Sequence, residues 1–162
     1  MLSFGDGDEQ VRLKNTIEDF SPDFIINALG GIDSQLEASA TSIFNSIFLP
    51  TLTIFEYFRS TETKTQIKVL TFGSEAEGQP RRKYPIYSAL KTAEANLVLT
   101  ASEYFADSDI QWLRLKLPRL NGGLGLVGIP LGQQSENGGF EIVWEKVRVA
   151  LGLDETYGES NG

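Results

Sequence analysis

Between Ile86 and Tyr104 apolar residues recur at steps of three and four: Ile86, Leu90, Ala93, Leu97, Ala101 and Tyr104. That period draws one stripe along a helix of about five turns. The 162 residues suffice for one domain with a single core. The expected domain runs from residue 1 to 153, and an acidic, flexible tail occupies 154–162.

Other segments read less regularly. Ser21, Pro22 and Asp23 look like a helix start, Phe24, Ile25, Ala28 and Leu29 share a side, and Gly30-Gly31 offers a left-handed stop. A second helix is predicted from Ser34 to Phe48, where Ser34 and Glu37 have capping-box spacing and Pro50 brings the end. From Thr51 the period shortens. Leu52, Ile54 and Phe58, then Ile67 and Val69, alternate as two strands of a hairpin joined by a loose turn at Arg59 to Lys64. Gln111 to Leu117 sets Trp112, Arg114 and Lys116 against Leu113, Leu115 and Leu117, a half-buried strand. Asn137-Gly138 is a hairpin-turn signal, and Phe140 to Val149 reads as a strand, with an amphipathic helix ending at Gly152 as the alternative. The expected fold class is α+β: N-terminal helices, a mainly antiparallel sheet and one long amphipathic helix in a single domain.

Function is bounded first by two absences. The chain contains no histidine and no cysteine. That removes the side chain whose proton transfer falls near neutrality, the thiolate nucleophile, and the usual zinc, haem, copper and iron–sulfur ligand sets. Carboxylate, lysine and hydroxyl groups remain. No basic, apolar leader opens the chain, and the apolar stretch Ile43 to Phe58 is broken by Asn45, Ser46, Pro50 and Glu56. Cytoplasmic synthesis is expected, without a signal peptide, a transmembrane segment or a membrane partner.

Three motifs touch known chemistry. Gly123-Leu124-Gly125-Leu126-Val127-Gly128 has dinucleotide-fingerprint spacing, but Pro118 precedes it and Pro130 follows, where a phosphate-holding helix should open. Ser88-Ala89-Leu90-Lys91 has Ser-x-x-Lys spacing without its usual companion motifs, and Leu90 belongs to the stripe, so Ser88 and Lys91 are expected on a solvated flank. The acidic pairs Asp6/Asp8, Glu75/Glu77 and Asp107/Asp109 lack the further ligands of a cation site. No catalytic, cofactor-binding or metal-binding residue is assigned, and no cofactor is expected.

Charge is unevenly spread. The whole chain carries −8, yet Gln79 to Arg119 carries +3. Arg81, Arg82, Lys83 and Tyr84 precede the long helix, and Trp112, Arg114, Lys116 and Arg119 follow it; these eight are the expected interaction residues, with Tyr87 nearby. A glycine-rich arm at 121–139 is suited to adding a strand to a neighbouring sheet. The expectation is therefore a non-enzyme: a structural or assembly subunit that contacts copies of itself or other subunits, as virion head, neck or tail components do. The alternative is a small binding or regulatory module that recognises nucleic acid or an acidic partner through the basic patch at 81–119.

Overall fold

A computed structural model describes residues 7–29, 39–63, 65–78, 82–117 and 140–153. Helix α1 (Gly7–Phe20) leads into strand β1 (Phe24–Asn27), helix α2 (Ala40–Ser60), strand β2 (Ile67–Gly73), helix α3 (Pro85–Tyr104), strand β3 (Ile110–Lys116) and helix α4 (Phe140–Leu151). The three strands form one sheet in the order β1-β2-β3, and both pairings are parallel. The expected antiparallel sheet is thus corrected to strand–helix–strand units, because a helix separates each strand from the next.

Local chemistry explains where the elements differ from expectation. Ser21 does not open a helix; it closes α1. Its φ of 42° is left-handed, its N–H donates to Ile17 O at 3.0 Å, and Pro22 then blocks continuation. Phe24-Ile25-Ile26-Asn27 is free to extend as β1. Ser39 caps α2, accepting from Ser42 N at 3.1 Å. Helix α2 runs on through Pro50, which lies buried inside it with Ile47, Thr51, Ile54, Phe55 and Phe58. Those positions are three or four apart, so the segment expected as the first hairpin strand is helical. Packing here overrides both the proline penalty and β-branched propensity.

Strands β2 and β3 alternate between two covered faces. Ile67, Val69, Ile110 and Trp112 join Ile17, Ile54, Phe55, Phe58, Val98, Ala101 and Phe105 in the core beneath α1, α2 and α3. Leu70, Phe72, Leu113 and Leu115 meet Val143, Val147 and Leu151 of α4 on the other side. The helical alternative at 140–151 is therefore the observed one, and Lys68 Nζ donates to Leu151 O at 2.7 Å across the end of α4. Phe24 and Ile26 of the edge strand β1 stay exposed. Among the described residues, no helix is long and apolar enough to cross a membrane.

Gly152 ends α4 at φ +70°, its N–H donating to Val149 O at 3.1 Å while Leu153 N donates to Arg148 O at 2.9 Å. A Cβ here meets a left-handed backbone and Lys68 Nζ at 3.3 Å. Gly152→Ala should therefore cost about 1 kcal/mol, read as a lower urea midpoint at unchanged slope. An unchanged midpoint would show that α4 frays at no cost.

Candidate active site at the carboxyl edge of the sheet

Parallel pairing brings the carboxyl ends of all three strands to one edge. Asn27 lies opposite Thr71, and Thr71 opposite Arg114. All three sit in phase with the core face beneath α2 and α3, so polar side chains replace apolar ones in the last row that all three strands share. In open α/β sheets this edge is where ligands bind.

The helices above it carry matching groups. Asn27 Nδ2 donates to Thr51 Oγ1 at 2.9 Å, and Thr51 Oγ1 donates to Glu94 Oε1 at 2.9 Å. Glu94, 1% exposed, takes two further donors on Oε2: Lys91 Nζ at 2.9 Å and Arg114 Nη2 at 3.2 Å. Lys91 also donates to Phe72 O at 3.0 Å, which seats this face of α3 over the end of β2. Arg114 continues to Glu77, with Nη2 to Oε1 at 2.7 Å and Nε to Oε2 at 3.3 Å, and to Thr71 Oγ1 at 3.0 Å. Two cations and two anions therefore balance within one buried network. Such a group is stable only when each charge keeps its partner.

The loop after β2 is bound into the same network. Glu77 accepts from Ser74 N, Ala76 N donates to Ser74 Oγ at 3.2 Å, and Gly78 N reaches Thr92 Oγ1 at 3.1 Å. Gly73 leaves the space that Glu77 fills, since a Cβ there would lie 2.7 Å from Glu77 Oε1. Ser88 Oγ donates to Ala76 O at 2.7 Å. The half-buried Tyr87 stands one helical turn before Lys91, on the same side of α3. Lys91 and the Ser74 loop thus meet at this edge, and Tyr87 stands on α3 one turn before Lys91.

These placements revise the sequence reading of α3. Its buried positions are Ser88, Lys91, Glu94, Val98 and Ala101, whereas Ile86 and Tyr104 of the apolar stripe are largely exposed. Ser88 and Lys91 are each 4% exposed, so neither lies on a solvated flank. The Ser-x-x-Lys spacing makes no dyad, because Lys91 bonds Glu94 and Phe72 O. Tyr87-x-x-x-Lys91 is a second spacing that the sequence displays, with both side chains on one side of α3.

The expected interaction residues part company. Trp112 is a core residue, its ring stacked 6.4 Å from that of Phe105 and tilted 6.3 Å from that of Phe55. Arg114 is internal. Arg82, Lys83 and Lys116 are exposed, and Lys83 Nζ lies 5.2 Å from the Tyr84 ring at the start of α3. Arg81, Arg119, the Gly123 to Gly128 motif, the arm at 121–139 and the tail at 154–162 fall outside the described residues.

No protein-family model matches the chain, and no curated protein matches it. Solved structures do. Over 96% of this chain it superposes on 72% of a 4-hydroxyisoleucine dehydrogenase complexed with NADH, with a TM-score of 0.74 and 16% identity. A variant of ElxO with NADPH bound gives 0.74 at 18% identity, over 96% of this chain and 71% of that one. A short chain dehydrogenase family protein from Francisella tularensis subsp. tularensis gives 0.72 at 14% identity, over 91% and 71%. The fold is that of NAD(P)-bound dehydrogenases and reductases. At such identities the likeness is one of fold.

It corrects the functional expectations none the less. The expectation of a non-catalytic assembly or virion subunit leans on missing imidazole and thiol chemistry and on surface charge, and it does not stand beside this fold. Dehydrogenase-type folds require neither group from the protein when a cofactor carries the redox step. The absence of histidine and cysteine therefore does not exclude catalysis on such a fold.

Proposed function

We propose that this chain forms the reacting part of an NAD(P)-dependent oxidoreductase that interconverts a carbonyl group and an alcohol. The observation that carries the reading is Tyr87 one turn before Lys91 on α3, with Lys91 anchored over the end of β2 and Ser74 in the loop that follows.

The side chains present suit the reacting end of such a cofactor. Lys91 spends two N–H groups on Phe72 O and Glu94, and among the described residues the third is uncommitted, available to a sugar hydroxyl. Among those same residues no glycine-rich turn joins a strand to a helix N-terminus, so none is assigned to the pyrophosphate. When bound, the nicotinamide supplies or accepts hydride at the carbonyl carbon. In the reducing direction Ser74 Oγ holds the carbonyl oxygen by a hydrogen bond. The Tyr87 phenol gives that oxygen its proton as negative charge develops, and the Lys91 ammonium one turn away stabilises the resulting phenolate. With no imidazole in the chain, the phenol is the donor assigned to this step.

Titration of the purified chain with NADH and NADPH, followed by nicotinamide fluorescence, should give saturable binding of at least one. A panel of aldehydes and ketones should then consume the bound dinucleotide. Failure to bind either form at millimolar concentration would remove the reading.

A further inference from the structure

We infer that Arg114 is the positioning residue of this site: one guanidinium on β3 that fixes the Ser74 loop and the Tyr87–Lys91 face of α3 relative to each other. Its catalytic meaning rests on the oxidoreductase reading; its structural content does not.

The two elements that bring reactive groups together are connected through Arg114, whose Nη2 donates to both. Toward the loop, Nε and Nη2 grip both oxygens of Glu77, and Glu77 in turn accepts the Ser74 N–H. Toward the helix, Nη2 donates to Glu94 Oε2, the same oxygen that holds Lys91. Nη1 meanwhile donates to Thr71 of β2, which fixes the guanidinium plane against the sheet. The Arg114 and Glu77 side chains are each 13% exposed. Solvent therefore screens the pair far less than it would a surface bridge.

A lysine cannot do the same work. Its single ammonium is a point charge, whereas this position needs a planar fork that bridges two carboxylates and a hydroxyl at once. Arg114 touches none of the groups proposed to react; it acts through Glu77 on Ser74 and through Glu94 on Lys91. Small displacements of either element would lengthen the proton-transfer geometry and lower the rate without removing any reacting atom.

The test uses Arg114→Ala, Arg114→Lys and Glu77→Gln, each checked for folding by circular dichroism. Amide exchange should quicken roughly tenfold or more across residues 74–78 in all three, since a charge-assisted tie is lost, while the amides of β2 hold. Millimolar guanidinium should restore loop protection and NADPH turnover of a small diketone to Arg114→Ala, while sodium chloride at equal ionic strength should not. In Arg114→Lys, turnover should fall with little change in KM for NADPH. Unchanged exchange at 74–78 in Glu77→Gln and the foldable Arg114 variants, or full activity in Arg114→Lys, would overturn the inference. If Arg114→Ala does not fold, Glu77→Gln decides by exchange alone. If the wild type binds no dinucleotide, the oxidoreductase reading fails, and exchange still judges the positioning role.

Discussion

Glu94→Ala should lower stability by about 3–5 kcal/mol, because it strands Lys91 and Arg114 as buried cations without their shared anion. For a chain of this size that corresponds to a melting shift on the order of 10 °C. Glu94 is 1% exposed and accepts from Thr51, Lys91 and Arg114, so water cannot replace it without opening the space between α2, α3 and the sheet. Glu94→Gln should be milder, since it keeps the shape and one acceptor oxygen while leaving the network one charge too positive. The double change Lys91→Met with Glu94→Leu should recover much of the loss, because a buried pair replaced by apolar groups of similar volume is often neutral or better. Urea unfolding of these three variants separates pairing from packing. A loss below about 1 kcal/mol in Glu94→Ala would mean that the cluster is solvated in solution.

The second large effect concerns rate. Tyr87→Phe should reduce turnover by about 10²- to 10⁴-fold, the usual contribution of a positioned proton donor. Only the hydroxyl is removed, and Tyr87 is half-buried, so stability should move by no more than about 0.5 kcal/mol. Dinucleotide affinity should also persist, because nothing assigned to hold the cofactor has changed. Stopped-flow measurement of hydride transfer in wild type and variant gives the comparison. Equal rates would transfer the proton role to another group, and a collapse of binding along with rate would make Tyr87 a structural residue.

How much of this was legible beforehand depends on what each segment reveals by itself. The long helix and the strand at Ile110–Lys116 were readable because strong periodicity fixes both the element and its length. The face that α3 buries was not. A stripe of Ile86, Leu90, Ala93 and Leu97 outweighs Ser88, Lys91 and Glu94 on any hydropathy count. The polar side is inward because Thr71 and Arg114 wait beneath it, and those partners lie far off in sequence. Strand direction was hidden for a similar reason. Reading Leu52 to Phe58 as a strand entails a hairpin to Ile67, whereas the observed helix supplies the crossover that a parallel pair needs. Pro50 encouraged that error by seeming to end α2, although burial on all sides lets the helix absorb it. The site itself was half visible. Lys91 was singled out, but it was paired with Ser88 three residues back and not with Tyr87 four residues back, and no local rule links either to Glu77 or Arg114.

The bare flank of β1 has a practical consequence. Phe24 and Ile26 look outward from a border strand whose far side meets no other strand among the described residues, and the strand itself, Phe24–Asn27, contains no lysine or proline. Borders of this kind recruit any extended polypeptide that drifts past. Concentrated stocks should therefore turn cloudy sooner than the strongly acidic charge suggests, and a single lysine in place of Ile26 should keep them clear.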